Sequence, residues 1–429
     1  MKLSKNSKKI ISLILNTKKD KHKTYHFTKN TETVMETLYN DILQSYHYVN
    51  EIKHKQKQTQ PKNLTPEIYV KKLTNVYDIP KPKNFNSNSF PPEIRKYIDE
   101  TSGSQITYDF SLQERNIRVH FITEELNSES NIAIYNKYVD LIHMWLYILN
   151  KYASKKCSKQ LVIYLYFTSL EKRIPASNIS ILDEIHVNSA FTSTCPENSE
   201  IVIFRKEEWF KVFIHESFHN FGLDFSDMNT QICNDQIRKI FKVTSDVNLY
   251  ESYAETWAEI MNACFCSFML MKDKKDRDVF MEGAELFISL ERKYSFIQMV
   301  KTLDFMGLTY KHLYTHNKES ILLRNTMYKE KTNVLSYYII KCILINNYQG
   351  FLCWCKKNNP SLLQFDKTIN NGLEYCKFIE RNYKTKDMLD QVEETEKNLT
   401  WIKNATSLHK DKDIQFVLTN MRMSACELG

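Results

Sequence analysis

The sequence predicts an α+β protein in which a mixed sheet and a buried helix are followed by a mainly helical region. Residues 104–205 contain the alternating apolar residues of β-strands, whereas residues 226–429 repeat apolar residues at helical spacing. Between them, residues 211–222 form an aromatic-rich segment with two histidines four positions apart. A chain of 429 residues is long enough for two or three packed units.

The distribution of charge singles out the N-terminal part of the chain. The net charge is +8, and residues 1–72 hold 15 lysines and six acidic residues, a balance of +9 that leaves about −1 for the remainder. This pattern is typical of a solvated helical arm, and also of a surface that binds nucleic acid, an anionic membrane or an acidic partner. With seven glycines and nine prolines, the sequence argues against low-complexity linkers and a glycine-rich phosphate loop.

The sequence contains no convincing targeting segment. The apolar run Ile10–Leu15 is too short for a signal core, and charged residues (Lys18–Asp20) follow it where small residues would be expected. No run approaches the roughly 20 apolar residues of a membrane span. The ten cysteines are scattered, and their only close pairs have a single residue between them, so we expect most to be buried apolar residues. These features predict a soluble intracellular protein without a signal peptide.

Residues 1–100 are expected to form a basic, mostly helical extension and a linker. Thr31–Val49 has apolar residues at helical spacing, and Lys53–Pro66 is polar. The proline-rich stretch Asp78–Pro92 cannot be helical. We therefore expect a domain boundary near residue 100.

Residues 101–225 are expected to contain the sheet and the histidine-bearing helix. The predicted strands are Gln105–Phe110, Asn116–Thr123, Gln160–Thr168, Glu184–Thr194 and Ser199–Phe204, with a long helix at Asn131–Tyr152. The fourth strand holds Asn188, Ser189 and Ala190 and is the natural candidate for a sheet edge. Such an edge either binds an extended peptide by main-chain hydrogen bonds or is covered by another element.

The rest of the chain is expected to be helical, with a subdomain at 226–345 and a tail at 346–429. Its apolar residues recur at helical spacing throughout. The predicted helices are Asn229–Lys242, Val247–Leu270, Asp278–Lys301, Asp304–Tyr314, Asn333–Asn346, Leu362–Asn382, Met388–Asn398 and Asp413–Ser424.

The segment His215-Glu216-Ser217-Phe218-His219 has the spacing of a metal site. Two histidines four apart lie on one face of a helix, so both imidazoles can reach one metal ion. Glu216 can take a proton from water that the metal activates. Gly222 is expected to end the helix.

A catalytic zinc site needs a third protein ligand and an open position. A histidine six residues after His219 would supply it, but Phe225 occupies that place. Downstream, Glu251 and Glu255 share one helical face in a segment with small residues that allow close packing. A register one turn later, with Glu255 as ligand and Glu259 behind it, and a solvated acidic face are the alternatives.

The His-Glu-x-x-His motif followed by Glu-x-x-Ala-Glu resembles the gluzincin branch of the zincin metallopeptidases over about residues 105–270. The resemblance implies a zincin-like core, a Zn²⁺ cofactor, Glu251 as third ligand and Glu255 as the carboxylate that orients a ligand histidine. The family usually has aspartate at that last position. It also usually supplies a tyrosine or histidine to stabilise the oxyanion, for which Tyr337 and Tyr338 are preferred over Tyr253, His312 and His316.

The resemblance implies a zinc metallopeptidase, an endopeptidase acting on a protein or peptide substrate, with Glu216 as general base. The whole chain also resembles, more weakly, uncharacterised zincin-like proteins of giant DNA viruses, which would suit its abundance of lysine, asparagine, isoleucine, tyrosine and phenylalanine, a pattern typical of an AT-rich genome. The alternative function is a virion or host-interaction protein that uses the zincin fold as a scaffold. In that case, the basic arm at residues 1–72 would bind nucleic acid or an acidic partner.

Overall fold

The computed structural model describes residues 1–16, 26–58, 66–405 and 411–429. A six-stranded mixed sheet has the strand order β1-β2-β3-β4-β6-β5, in which β3, β4 and β6 are parallel to one another and β1, β2 and β5 pair antiparallel with their neighbours. Its strands are β1 (Glu67–Lys72), β2 (Ser104–Leu112), β3 (Arg115–Thr123), β4 (Gln160–Phe167), β5 (Ala190–Thr192) and β6 (Asn198–Ile203).

Helices cover the sheet and make up most of the described region that follows it, which confirms a mixed sheet followed by a mainly helical region. A π-helical stretch, Leu335–Ile340, runs directly into α12. The α-helices in the described ranges are α1 (Lys5–Asn16), α2 (Lys29–Gln58), α3 (Pro92–Thr101), α4 (Ile132–Tyr152), α5 (Glu184–Val187), α6 (Trp209–Asn220), α7 (Gln231–Ile240), α8 (Leu249–Leu270), α9 (Arg277–Phe305), α10 (Tyr310–Tyr314), α11 (Lys318–Met327), α12 (Lys341–Asn346), α13 (Tyr348–Asn358), α14 (Ile369–Asn382), α15 (Lys386–Asn404) and α16 (Lys412–Thr419).

Alternate residues of a strand point to opposite sides of the sheet, and in the central strands both sides carry buried side chains. On one face, Val119 and Phe121 of β3 join the main core, which also contains the apolar residues of α4, α6 and α8. On the other face, Tyr166 of β4 packs with Phe90 and with α3 in a smaller core. The proline-rich segment before α3 therefore covers the sheet.

The strand predicted at Glu184–Thr194 is wrong over its first half. Residues 184–187 form the helical turn α5, and only the three residues of β5 pair with β6. The side chain of buried Arg205 binds the carbonyls of Ile185 (2.6 Å) and Asn188 (3.2 Å), which fixes this non-extended backbone. The prediction that this strand is a sheet edge is confirmed, since β5 is the last strand in the order.

Other predicted bounds also change. The strand β1 and the helices α3, α11 and α13 were not predicted, and the predicted break near residue 303 falls instead at Gly307, after α9. The predicted linker Lys53–Pro66 begins within α2, and its residues 59–65, like the charged residues 18–20, lie outside the described residues.

The last predicted helix ends at Thr419, and residues 420–428 continue as an irregular segment through the protein interior. Its main-chain N–H groups bind two buried carboxylates. Glu208 accepts from Met423 and Ser424, and Glu291 accepts from Ala425 and Cys426. These buried polar bonds tie the segment to the N-terminal end of α6 and to α9.

Seven of the eight free cysteines are buried, as predicted, but Cys157 and Cys195 form a disulfide that their spacing did not predict.

Across the described residues, every helix is too short or too polar to pass through a lipid bilayer.

Candidate metal centre

The helix α6 is held at both ends. At its N-terminal end, Glu208 (φ +59°) forms a buried ion pair with Lys172 (2.6 Å). At its C-terminal end, Gly222 has φ +65°, and the N–H groups of Gly222 and Leu223 bind the carbonyls of His219 (3.0 Å) and Phe218 (2.8 Å). This is the Schellman arrangement that a glycine allows, so the predicted stop at Gly222 is confirmed.

The helices α6 and α8 face each other and bring three candidate ligands together. Nε2 of His215 lies 3.1 Å from Nε2 of His219 and 3.1 Å from Oε2 of Glu251. Nε2 of His219 lies 3.3 Å from the same carboxylate oxygen. Ala254 and Ala258 are fully buried on α8, consistent with the close packing that the small residues predicted. The three side chains form a group that could bind a metal ion.

The spacing of these atoms fits zinc. Zinc–nitrogen and zinc–oxygen bonds of about 2.0–2.2 Å in a tetrahedral arrangement place the ligand atoms about 3.3 Å apart. The three observed separations are 3.1, 3.1 and 3.3 Å. Two imidazoles and one carboxylate are also a donor set that zinc accepts.

Each ligand histidine has a carboxylate on its other ring nitrogen. Nδ1 of His215 lies 2.9 Å from Oε2 of Glu255, and Nδ1 of His219 contacts the fully buried Asp224. Asp224 also accepts from the N–H (3.1 Å) and hydroxyl (2.8 Å) of Ser226. Such partners fix the tautomer and orientation of a metal-binding histidine.

The geometry distinguishes between the alternative candidates for the third ligand. It brings Glu251, rather than Glu255, to the Nε2 atoms, while Glu259 binds Lys341 (2.6 Å) one turn further along α8. Asp224 was missed as a partner of His219, although an acid five residues after the second histidine was a visible signal.

Two residues near the π-helical stretch bind the third ligand. The hydroxyl of Tyr337 donates to Oε2 of Glu251 (3.0 Å), and the side-chain amide of Asn333 donates to Oε1 (3.2 Å). Asn333 has φ +27° and was not expected at the site. Its neighbour Thr332 donates to Oδ1 of Asn188 (2.8 Å), which ties this stretch to the segment before β5.

The other aromatic candidates have different contacts. The hydroxyl of Tyr338 donates to the Met421 carbonyl (2.7 Å), and that of Tyr253 donates to the Leu363 carbonyl (3.0 Å). His312 accepts from the N–H of Thr309 at the start of α10, and His316 is exposed. Of the candidates for stabilising the oxyanion, the structure therefore places Tyr337 beside the ligands.

Burial and neighbouring charges set the protonation of the group. Burial alone would raise the pKa of Glu251, but the adjacent His219 and His215 outweigh it and lower that pKa. Burial opposes charge on His219, yet Asp224 and Glu251 raise its pKa well above the usual value. Burial raises the pKa of Glu216, which brings this carboxylate towards the range of a general base.

A narrow cavity of about 30 Å³ opens beside His215 and Glu216. Its volume is enough for a water molecule. Asn188, Ser189 and Ala190, the predicted substrate-binding residues, lie in its wall, and Asn188 and Ser189 precede β5 instead of lying within it. The hydroxyl oxygen of Ser189 is buried and has no hydrogen-bond partner among the described residues, so it is available to a molecule in the cavity.

The fold and the site together define a mixed α/β protein with a buried His–His–Glu group that could hold a metal ion. Compared with family models, with curated proteins and with solved structures, the chain matches none. The arrangement of side chains is therefore the basis for a proposed function.

Proposed function

We propose that the protein is a zinc-dependent metallopeptidase, an endopeptidase with a zincin-like core formed by the sheet and α6. The observation that supports this most directly is the convergence of His215, His219 and Glu251 at tetrahedral ligand spacing, with Glu216 on the same helix at the edge of a water-sized cavity. Phosphate or nucleotide chemistry has no comparable constellation in the sequence.

In this proposal, His215, His219 and Glu251 hold the zinc ion. When bound, zinc polarises the scissile carbonyl and lowers the pKa of water. Glu216 accepts the proton from water and passes it to the leaving amine, and its raised pKa suits both transfers. Tyr337, whose pKa burial and Glu251 raise well above the usual value, keeps its proton, and the hydrogen bond that it donates to Glu251 can turn towards a developing oxyanion.

The substrate proposed is an extended peptide lying along the segment from Asn188 to Thr192. The edge strand β5 offers main-chain groups on its unpaired side, and Ser189 offers a free hydroxyl at the cavity. Because the ligands and Glu216 are all buried beside a water-sized cavity, an extended peptide on this segment would reach them only if the cavity widened.

The metal is tested first. Protein made with zinc available and then dialysed should retain one zinc per chain, measured by elemental analysis. His215→Ala should lose the metal, because two remaining ligands bind weakly. Wild-type protein that retains no zinc would contradict the proposed function.

Catalysis is tested separately with Glu216→Gln, which preserves the shape of the side chain and removes its proton affinity. This variant should keep zinc and lose cleavage of a mixed-sequence peptide library, followed by mass spectrometry of new termini. Wild-type protein that binds zinc but cleaves no more than Glu216→Gln would instead favour the scaffold function.

A further inference from the structure

A lysine lies one turn before the first ligand histidine. Lys211, His215 and His219 are four residues apart in succession, so they lie on one face of α6. The side chain of Lys211 is 3% exposed, and its Nζ contacts Oε1 of Glu255, which is itself 2% exposed. The other oxygen of Glu255 lies 2.9 Å from Nδ1 of His215. Lys211, Glu255 and His215 therefore form one buried chain of polar contacts.

Glu255 could interact with the metal site in more than one way. It lies one turn after Glu251 on the same face of α8, and its three side-chain torsions allow several positions for the carboxylate. A carboxylate that turned towards the Nε2 atoms would compete with Glu251 for the metal. A carboxylate that stayed on Nδ1 would orient the imidazole instead. Some other contact must therefore select the second position.

The contact with Lys211 favours the position of the Glu255 carboxylate on Nδ1 of His215. With Oε1 bound to the ammonium group, Oε2 is the oxygen directed to Nδ1 of His215. Lys211 is confined in turn, because its Nζ lies 3.9 Å from Sδ of Met423 in the buried C-terminal segment. An ionised carboxylate buried this deeply without a cationic partner would lower the free energy of unfolding.

A second buried ion pair provides a comparison on the same helix. Lys341 and Glu259 are both fully buried, 2.6 Å apart, and Lys341 also binds Ser295 (2.9 Å). Within the described part of the chain, neither bonds to a ligand histidine. A general contribution of buried lysine–glutamate pairs to folding would apply to both pairs, whereas an effect through direct contact with Glu255 would apply only to Lys211.

We propose that Lys211 is a positioning residue of the metal centre, which acts through Glu255 to hold His215 in its metal-binding orientation and to reserve the third ligand position for Glu251. This inference rests on the proposed zinc site. Outer partners of metal ligands typically contribute about 10–100-fold to metal affinity. Lys211 should contribute on that scale although it touches no ligand atom itself.

The test measures the zinc dissociation constant by competition with a chromophoric chelator. Lys211→Met should raise this constant about 10-fold or more. The matched control Lys341→Met should change it less than about threefold, although it also removes a buried cation that pairs with a glutamate of α8. An equal change in the two variants would overturn the proposal, because the effect would then belong to buried ion pairs in general.

A double variant tests whether Lys211 acts through Glu255. Lys211→Met/Glu255→Gln removes both buried charges, so it leaves no unpaired ion if Lys211→Met alone fails to fold. Its zinc dissociation constant should equal that of Glu255→Gln within about threefold. A further tenfold loss in the double variant would overturn the proposal, since Lys211 would then act independently. Absence of zinc from the wild type would instead reject the proposed function, which separates the two failures.

Discussion

At the scale of single residues, Glu251 and Glu255 show how neighbours assign different tasks to one side-chain type. They are one helical turn apart and both buried. Glu251 meets the Nε2 atoms of two histidines and is bound by Tyr337, whereas Glu255 meets Nδ1 of His215 and is bound by Lys211. Sequence spacing places both carboxylates on one face, but only these contacts distinguish the ligand position from the supporting one.

The adjacent residues Tyr337 and Tyr338 allow a matched test of which side chain stabilises the oxyanion. Tyr337→Phe should retain zinc and lower kcat about 100-fold, the usual scale for loss of one oxyanion donor. Tyr338→Phe removes a hydroxyl that binds the Met421 carbonyl, so it should lower stability by about 1 kcal/mol and leave kcat nearly unchanged. Equal effects of the two changes on kcat would contradict the role given to Tyr337.

Asp224 allows a similar test of His219. Asp224→Asn should weaken zinc binding about 10–100-fold, because His219 loses the carboxylate that orients its ring. Asp227→Asn, in an exposed pair with Lys367, provides the control and should bind zinc like the wild type. Chelator competition measures both, and unchanged affinity in Asp224→Asn would argue against an orienting role.

At the scale of helices and strands, an element could be predicted when the residues that determine it lie close together in the sequence. The helices α4, α6 and α8 were predicted close to their bounds because the apolar spacing that defines each helix is local. The glycine that ends α6 also lies close to it in the sequence. The turn α5 was missed because a distant side chain, Arg205, fixes its backbone. For the same reason, Asn333 was missed at the site: its contact with Glu251 depends on how α8 meets a segment 82 residues later. The two histidines and Glu251 could be predicted, since helical spacing and motif order bring them together, and the position of Asp224 was a usable signal. The role of Lys211 required the packing.

The helix α4 contains a buried histidine whose effect on stability should depend on pH. Burial, and secondarily Lys53, lower the pKa of His143 from 6.5 to about 4, and within the described ranges its Nε2 has no hydrogen-bond partner. As the pH falls from about 6.5 to about 4, the unfolded chain takes up this proton before the folded one, so the free energy of unfolding should fall by about 3 kcal/mol. Denaturant unfolding of His143→Leu should lack this component, and parallel pH profiles for variant and wild type would contradict the prediction.

At the scale of the whole molecule, the segment 420–428 connects distant parts of the chain. Its N–H groups bind Glu208 beside α6 and Glu291 on α9, and Met423 lies in the wall of the cavity at the metal centre. The first residues of the chain also join it, since Leu3 pairs with Leu428. Residues from both extremes of the described chain therefore meet in one segment, and this segment also lines the cavity beside the candidate metal group.

Glu291 should accordingly be important for global stability. Glu291→Leu leaves the N–H groups of Ala425 and Cys426 and the hydroxyl of Ser424 without their acceptor, and should lower the free energy of unfolding by about 3 kcal/mol. The exposed Glu393, paired with Lys397, is the control. Glu393→Gln should change the free energy of unfolding by less than about 0.5 kcal/mol. Denaturant titration of both variants checks the difference, and similar values would contradict the importance of this connection.

The burial of residues 420–428 has a consequence for biosynthesis. The chain is made from its N-terminus, so α6 and α8 leave the ribosome long before the segment that encloses Lys211 and binds Glu208. Until that segment has emerged, Lys211 lacks the neighbour that confines it, and the cavity lacks the wall that Met423 supplies. The proposed metal centre would therefore reach its working geometry only after residues 420–428 had been made.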